Sequence, residues 1–184
     1  MLNSSGLVDG WLPEVRRVDS PNFDARPASE VSLVVIHNIS LPPGCYGGDH
    51  VERLFTNRLR RGEHPFLDTL VNTRVSAHFY IGRSGSVTQF VSCLQRAWHA
   101  GASQFRGRAG CNDFSVGIEL EGTDFEPFVD AQYAALNRII DALTRAFPIE
   151  AIVGHSVIAA DRKTDPGPFF RWDRITAAAS RIAR

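Results

Sequence analysis

A short run of β-branched residues constrains the fold of this chain more than any other feature. Residues 31–37 read Val-Ser-Leu-Val-Val-Ile-His, with Val34, Val35 and Ile36 in direct succession. A strand that is continuously apolar, rather than alternating, is typical of a sheet that is covered on both faces. The run therefore predicts a central strand, which ends in the Pro- and Gly-containing loop 38–44.

Further strands and helices are predicted on either side of this run. The apolar positions of 130–147 recur with a helical period, with Asp130 as the predicted N-cap and Pro148 as the stop. The other predicted elements are strands over 77–81, 87–91, 115–121 and 151–154, a hairpin turn over 82–85, and helices over 49–61 and 168–184. Strands that alternate with helices indicate an α/β layered fold.

The length and the charge balance limit the domain count and the partners. A chain of 184 residues suits one domain, and the Pro-, Asp- and Ser-rich residues 1–30 predict an extended arm packed on it. Lys plus Arg number 20 and so do Asp plus Glu, so the formal net charge is zero. This balance gives no electrostatic reason to expect a nucleic acid or an anionic membrane as partner.

The sequence shows neither a signal peptide nor an apolar run long enough to span a membrane. The three cysteines, Cys45, Cys93 and Cys111, are odd in number and far apart. Each is interpreted as a small buried residue in a reducing compartment rather than part of a disulfide framework. We therefore expect a cytoplasmic protein.

Two histidines stand where predicted strands run into loops. His37 ends the first strand, His155 follows the last one, and Asp165 comes ten residues later. Ligand sites of α/β sheets gather at such strand ends, and two imidazoles with one carboxylate form a normal catalytic zinc shell. Residue types alone leave the question open, because the chain has six histidines and a strand-end histidine is more often structural.

Glu119 lies within the predicted strand 115–121, on the face opposite Val116, Ile118 and Leu120. A carboxylate is costly to bury without a partner. Either that face is exposed to solvent, or Glu119 is a general base beside a metal-bound water, for which a desolvated glutamate with a raised pKa is suited.

Several short motifs in order make the chain resemble the N-acetylmuramoyl-L-alanine amidase family over nearly its whole length. They are His37-Asn38, Ser76-Ala77-His78, Ala97-Trp98-His99-Ala100-Gly101, Gly117-Ile118-Glu119 and Lys163-Thr164-Asp165-Pro166-Gly167. Within the family the chain looks like the cytoplasmic members that act on 1,6-anhydro-muropeptides.

The resemblance implies a mixed β-sheet flanked by helices, as in peptidoglycan recognition proteins and phage T7 lysozyme, in a single amidase domain over 1–184. It implies zinc-dependent hydrolysis of the amide between N-acetyl-(1,6-anhydro)muramic acid and L-alanine during recycling of peptidoglycan fragments, with an indirect influence on β-lactamase induction. The expected partner is a small muropeptide, with no nucleic acid or membrane, and we expect a monomer.

The resemblance also implies roles for residues of this chain. The zinc ligands would be His37, His155 and Asp165, with Glu119 and Lys163 as catalytic residues. Asn38, Arg74, Trp98 and His99 would line the substrate groove; Trp98 would stack on a sugar or simply fill the core, and His78 would be structural. The family has an arginine where this chain has Gly110, so either Arg108 or Arg74 would bind the peptide carboxylate.

In the hypothesised mechanism, Glu119 takes a proton from the zinc-activated water and later delivers it to the alanine nitrogen. Lys163 and zinc would share the negative charge on the carbonyl oxygen. The alternatives are a non-catalytic peptidoglycan-binding module, an inhibitory protein such as a phage lysozyme that binds a polymerase, and an amidase of the intact cell wall. The complete ligand set favours the enzyme, and the lack of a signal peptide favours soluble fragments.

Overall fold

The computed structural model describes residues 6–175. The strands are β1 (Arg16–Arg17), β2 (Phe23–Ala25), β3 (Leu33–Ile39), β4 (Phe79–Ile81), β5 (Val87–Gln89), β6 (Gln95–Ala97), β7 (Gln104–Phe105), β8 (Arg108–Ala109), β9 (Ser115–Glu121) and β10 (Ala151–Gly154). The α-helices are α1 (His50–Phe55), α2 (Pro65–Leu70), α3 (Asp130–Ala146) and α4 (His155–Ile158), and 3-10 turns cover Cys111–Asp113 and Trp172–Arg174.

Six strands form one mixed sheet in the order β1-β5-β4-β9-β3-β10. The four strands β4, β9, β3 and β10 run parallel to one another, whereas β5 is antiparallel to β4. The predicted central strand is β3, whose residues from Leu33 to His37 are buried, and the predicted hairpin joins β4 to β5. The predicted α/β fold with a mixed, helix-flanked sheet is thus confirmed.

The two faces of the sheet differ in character. One face carries Val34 and Ile36 of β3 with Val116 and Ile118 of β9, and packs on the apolar side of α3. The opposite face carries His37, which pairs in register with Glu119. Since successive side chains of a strand point to opposite faces, His37 and Glu119 share the face on which Leu33 and Val35 form a second apolar cluster. Both faces of the sheet are thus covered by apolar side chains, and the second face also carries this polar pair.

The segment before β3 lies along the body of the molecule. Strand β1 adds to the sheet beside β5, and β2 pairs with β6. Arg26 follows β2, is largely buried, and donates hydrogen bonds to the carbonyl oxygens of Cys93, Asn112, Asp113 and Ser115. This one guanidinium therefore fastens the segment to three different parts of the chain.

The helix predictions for 49–61 and 130–147 need correction, and one helix was missed. The predicted helix 49–61 ends at Phe55, because Asn57 adopts a positive φ of 59°. The separate helix α2, which starts at Pro65, was not predicted. Helix α3 begins at Asp130, so the N-cap is Val129, whose N–H donates to the Gln132 side chain.

The predicted closing helix 168–184 is wrong in its first part, because residues 168–175 form only a 3-10 turn and 176–184 lie outside the described residues. The cysteine prediction holds for Cys93 and Cys111, whereas Cys45 is exposed on a loop; all three are free thiols. No helix within residues 6–175 combines the length and the apolar character needed to cross a membrane.

Candidate metal centre and cleft

Three predicted ligands come together at the carboxyl edge of the parallel strands. The Nδ1 atom of His37 lies 3.0 Å from Nδ1 of His155 and 3.0 Å from Oδ2 of Asp165. The third separation, from His155 Nδ1 to Asp165 Oδ2, is 3.1 Å. Two imidazole nitrogens and one carboxylate oxygen thus form a small triangle, which is a possible metal site.

The local structure explains how residues so far apart in sequence converge. Strands β3 and β10 are parallel neighbours, so His37 near the end of β3 and His155 just after β10 reach the same edge. Asp165 lies on a loop that packs closely on Gly154, where a Cβ would be 2.7 Å from Cδ of Pro166. A hydrogen bond of 2.9 Å from the Ser156 N–H to the Asp165 carbonyl oxygen anchors that loop.

The triangle fits a tetrahedral zinc ion. Ligand atoms about 2.0–2.1 Å from such an ion are roughly 3.3–3.4 Å from one another, so the triangle would need to open by only a few tenths of an ångström. Burial lowers the pKa of His37 to about 4. Burial alone would raise the pKa of Asp165, but the contacts of its carboxylate with His155 and His37 outweigh burial and lower that pKa. Neutral imidazole and ionised carboxylate are the forms that bind a metal.

Glu119 is next to this triangle, because it is the register partner of His37 on the adjacent strand. It is 9% exposed, which excludes the solvent-facing alternative. Burial, followed by the negative charge of Asp165, raises its pKa well above the usual value, and Lys163 opposes the shift. Its Oε2 is buried and has no hydrogen-bond partner among the described residues. A buried carboxyl oxygen without a hydrogen-bond partner costs folding free energy, and such a group is typical of a binding or catalytic site.

A cleft with a volume of about 570 Å³ opens over the triangle. Asn38, Trp98, His99, Glu119 and Lys163 all line it, together with the three candidate ligands. Its far wall is mostly apolar and comprises Ile39, Leu41, Pro43, Leu54, Phe55, Phe66, Leu70 and Val75. The structure therefore brings most of the predicted site residues to one cavity.

Asn38 and Lys163 occupy different positions on this cleft. The Asn38 amide donates to Oδ1 of Asp124 at 2.7 Å and to the Pro166 carbonyl oxygen at 3.1 Å, so it also ties down the loop that carries Asp165. Lys163 is exposed, and it is the single lysine in a chain whose other basic residues are arginines. The one lysine ammonium group of this protein is therefore at the cleft.

The two arginines expected to bind a peptide carboxylate are not among the cleft-lining residues. Arg108 forms hydrogen bonds of 2.8 Å to both oxygens of Glu30 and lies over the Phe114 ring. Arg74 is exposed between Thr73 and Val75, which do line the cleft, and it donates only to nearby carbonyl oxygens. Of the two, only Arg74 is adjacent to the cavity.

His78 is fully buried, and its ring nitrogens contact backbone groups inside the fold. Its Nδ1 accepts from the Gly117 N–H at 3.0 Å, and its Nε2 lies 3.0 Å from the Gln95 carbonyl oxygen. Burial, and next the charge of Arg26, lowers its pKa to about 3. His78 is therefore a neutral structural histidine.

Sequence reasoning missed the groups that contact the Nε2 atoms of the two candidate histidine ligands. The Ala100 carbonyl oxygen lies 3.1 Å from Nε2 of His155 and also accepts from Arg162 at 2.5 Å. His99 Nδ1 lies 2.9 Å from Nε2 of His37, and Ser115 Oγ lies 3.1 Å from Nε2 of His99. The Trp98-His99-Ala100-Gly101 motif was the one sequence signal for this layer, and it did not reveal which atoms would meet.

The fold and the site define an amidase-type α/β protein with a histidine–histidine–aspartate cluster at the edge of its sheet. The Drosophila peptidoglycan recognition protein PGRP-SA shares this fold, with a TM-score of 0.57 at 18% identity over 85% of this chain and 87% of that one. A family model described as N-acetylmuramoyl-L-alanine amidase (Amidase_2) matches residues 27–168. The chain belongs to the N-acetylmuramoyl-L-alanine amidase family.

Individual relatives narrow the comparison. The 1,6-anhydro-N-acetylmuramyl-L-alanine amidase AmpD of Citrobacter freundii is 51% identical over 174 residues, which is 93% of each chain. A crystal structure of a selenomethionine AmpD derivative superposes with a TM-score of 0.90 at 50% identity, covering 92% of this chain and 96% of that one. Escherichia coli AmiD, solved with anhydro-N-acetylmuramic acid-L-Ala-D-γ-Glu-L-Lys as substrate, gives a TM-score of 0.62 at 28% identity, covering 88% of this chain and 62% of that one.

Proposed function

We propose that this protein hydrolyses the amide bond between N-acetyl-(1,6-anhydro)muramic acid and L-alanine in soluble peptidoglycan fragments. The observation that carries the proposal is the triangle of His37, His155 and Asp165 beside the buried Glu119 in one cleft. The names of the AmpD relatives and the substrate in the AmiD complex supply the substrate class.

The proposed cofactor is zinc, bound by Nδ1 of His37, Nδ1 of His155 and a carboxylate oxygen of Asp165. When bound, zinc supplies a water molecule of lowered pKa and a Lewis acid for the substrate carbonyl. The convergence of two imidazole nitrogens and one carboxylate oxygen supports this assignment, because that donor set is typical of catalytic zinc sites with an open position.

Glu119 is proposed as the general base and acid. Its carboxyl group accepts the proton of the attacking water and returns it to the departing alanine nitrogen, which must be protonated to leave. A strongly raised pKa suits both steps, since the group gains and loses a proton within one turnover. Lys163 is proposed to place its ammonium group near the carbonyl oxygen as negative charge develops there.

Trp98, Asn38, Arg74 and the apolar far wall are proposed to hold the substrate. Trp98 and the apolar far wall offer surfaces for a sugar ring, and Asn38 offers an amide group at the floor. For the carboxylates of the stem peptide we propose Arg74 rather than Arg108, because Glu30 already neutralises Arg108. The match to an AmpD relative over 93% of each chain supports the proposal that the chain works as one amidase domain. We also propose that it works as a cytoplasmic monomer.

Mass-spectrometric product analysis with a purified 1,6-anhydro-muropeptide tests this function. We expect release of the free peptide, its abolition by a chelator, and recovery of activity when zinc is returned. His155→Ala should contain no stoichiometric zinc and release no peptide. Tight binding of the muropeptide without hydrolysis by the zinc-loaded chain would instead identify a binding module, and activity that survives the chelator would refute the zinc assignment.

A further inference from the structure

The ring nitrogens of the two candidate histidine ligands show which proton positions a metal requires here. Both Nδ1 atoms face the Asp165 carboxylate, so both Nε2 atoms point away from it. A neutral imidazole offers one lone pair, so a metal-binding Nδ1 requires the proton on Nε2. The partner of each Nε2 therefore decides whether the ligand is ready for a metal.

The two histidines differ in the partner that holds the Nε2 proton. Nε2 of His155 lies 3.1 Å from the Ala100 carbonyl oxygen, which can only accept, so the proton of His155 is fixed in place. Nε2 of His37 lies 2.9 Å from Nδ1 of His99, which can donate or accept according to its own tautomer. The state of His37 thus depends on His99.

His99 in turn has a partner on its other nitrogen. Its Nε2 lies 3.1 Å from Oγ of Ser115, a hydroxyl that can accept a hydrogen bond. With its proton on Nε2, His99 donates to Ser115 and leaves the Nδ1 lone pair to accept from Nε2–H of His37. The opposite tautomer would drive the proton of His37 onto Nδ1, where the metal must bind.

The His99 ring is held in this orientation by its surroundings. It lies so close to Gly117 that a Cβ there would overlap the ring, and its backbone N–H donates to Oδ1 of Asn112 at 3.1 Å. Both ring nitrogens already have protein partners, which leaves neither for a substrate.

We propose that His99 is a positioning residue that fixes the metal-binding tautomer of His37 through the Ser115–His99–His37 hydrogen-bond chain. It is not a substrate contact. The inference rests on the proposed zinc site, and it adds a role for a residue that the sequence placed in the substrate groove. Hydrogen-bond partners behind metal ligands commonly contribute about 10–100-fold to metal affinity.

Zinc affinity, measured by competition with a chromogenic chelator, tests the role in four proteins. His99→Leu removes the acceptor but keeps an apolar bulk, and it should weaken zinc binding about 10–100-fold. His99→Asn places an amide oxygen where Nδ1 stood and should bind zinc within about threefold of the unmodified chain. The control His50→Leu changes a histidine outside the cleft and should leave zinc affinity unchanged. At saturating zinc, all four should show similar KM values.

Several results would overturn the proposal. His99→Leu with normal zinc affinity and a raised KM would make His99 a substrate contact, and equal losses in the Leu and Asn variants would exclude the acceptor role. If His99→Leu does not fold, Ser115→Ala decides: it should weaken zinc binding about threefold in the unmodified chain and not at all in the His99→Asn background. A Ser115→Ala protein with normal affinity contradicts the chain. An unmodified protein without zinc would refute the proposed function itself.

Discussion

The two walls of the cleft are built in different ways. The metal wall consists of β3, β9, β10 and the start of α4, and its functional side chains His37, Glu119 and His155 are buried. The opposite wall comes mainly from the segment 40–75, which consists of loops and the short helices α1 and α2. Phe66 on that wall is 39% exposed, and Phe125 on the rim is 86% exposed.

This difference suggests that the metal wall carries out the reaction and that the opposite wall binds the substrate. On the metal wall, adjacent strands fix the backbone and partners such as Ala100 and His99 hold the outer ring nitrogens. Small displacements of reacting groups are costly to catalysis, and rigid elements prevent them. The opposite wall offers apolar surface without such partners, and surfaces of this kind tolerate change at a modest cost in affinity. Substitutions on the metal wall should therefore lower turnover, and those on the opposite wall should raise KM.

The largest effect should come from Glu119→Gln. The variant keeps the shape of the side chain but cannot move a proton, so we expect kcat to fall about 10²–10⁴-fold with zinc still bound one per chain. Glu121→Gln is the matched control, because Glu121 is on the same face of β9 and accepts hydrogen bonds from the loop N–H groups of Gly47 and Arg83. Steady-state kinetics and metal analysis of both variants would measure this. Normal turnover of Glu119→Gln would remove the residue from the mechanism.

Lys163→Met should come next, with kcat lowered about 10²–10³-fold and KM little changed. The side chain keeps its length but loses the charge that stabilises the carbonyl oxygen. Because Lys163 is the only lysine, amine-selective acetylation of the unmodified protein should reach this side chain and the N-terminus alone. Acetylation should reproduce the loss, and the acetylated Lys163→Met variant should show no further change. An acetylated enzyme of full activity would contradict the role.

Trp98→Ala should raise KM about 10-fold and leave kcat and zinc content nearly unchanged, because a lost aromatic surface weakens ground and transition states alike. Trp11→Ala is its control, since Trp11 lies under Arg17 and does not line the cleft. Kinetics on the same muropeptide would compare them. A loss confined to kcat would move Trp98 from recognition to the chemical step.

The smallest effects should distinguish the two arginines. Arg74→Ala should raise KM about three- to fivefold, as expected for an exposed ion pair with a peptide carboxylate. Arg108→Ala should leave KM unchanged and lower the free energy of unfolding by about 1 kcal/mol, because it breaks the exposed pair with Glu30 and the contact with the Phe114 ring. KM values for substrates with and without the stem-peptide carboxylates would measure the contrast. A larger KM effect from Arg108 would reverse the assignment.

The sequence by itself determined the core strands and the long helix. The run at 31–37, the alternation of β9 and the period of α3 each predict an element from local spacing, because burial imposes that spacing on the residues themselves. Local spacing was less informative about where helices end, because that depends on the backbone conformation of single residues. It could not show that Asn57 would end α1, nor that residues 168–175 would form only a 3-10 turn.

The tertiary structure alone decided which atoms meet. Sequence placed His37 and His155 at strand ends and Asp165 ten residues after His155. A triangle with sides of 3.0–3.1 Å requires in addition the parallel register of β3 and β10 and the loop packed on Gly154. The family resemblance suggested His99 for the substrate groove and either Arg108 or Arg74 for the peptide carboxylate. The fold places His99 at the cleft with its ring against His37, and it pairs Arg108 with Glu30. The physical reason is that hydrogen bonds and ion pairs depend on contacts between residues distant in sequence, which composition and periodicity do not encode.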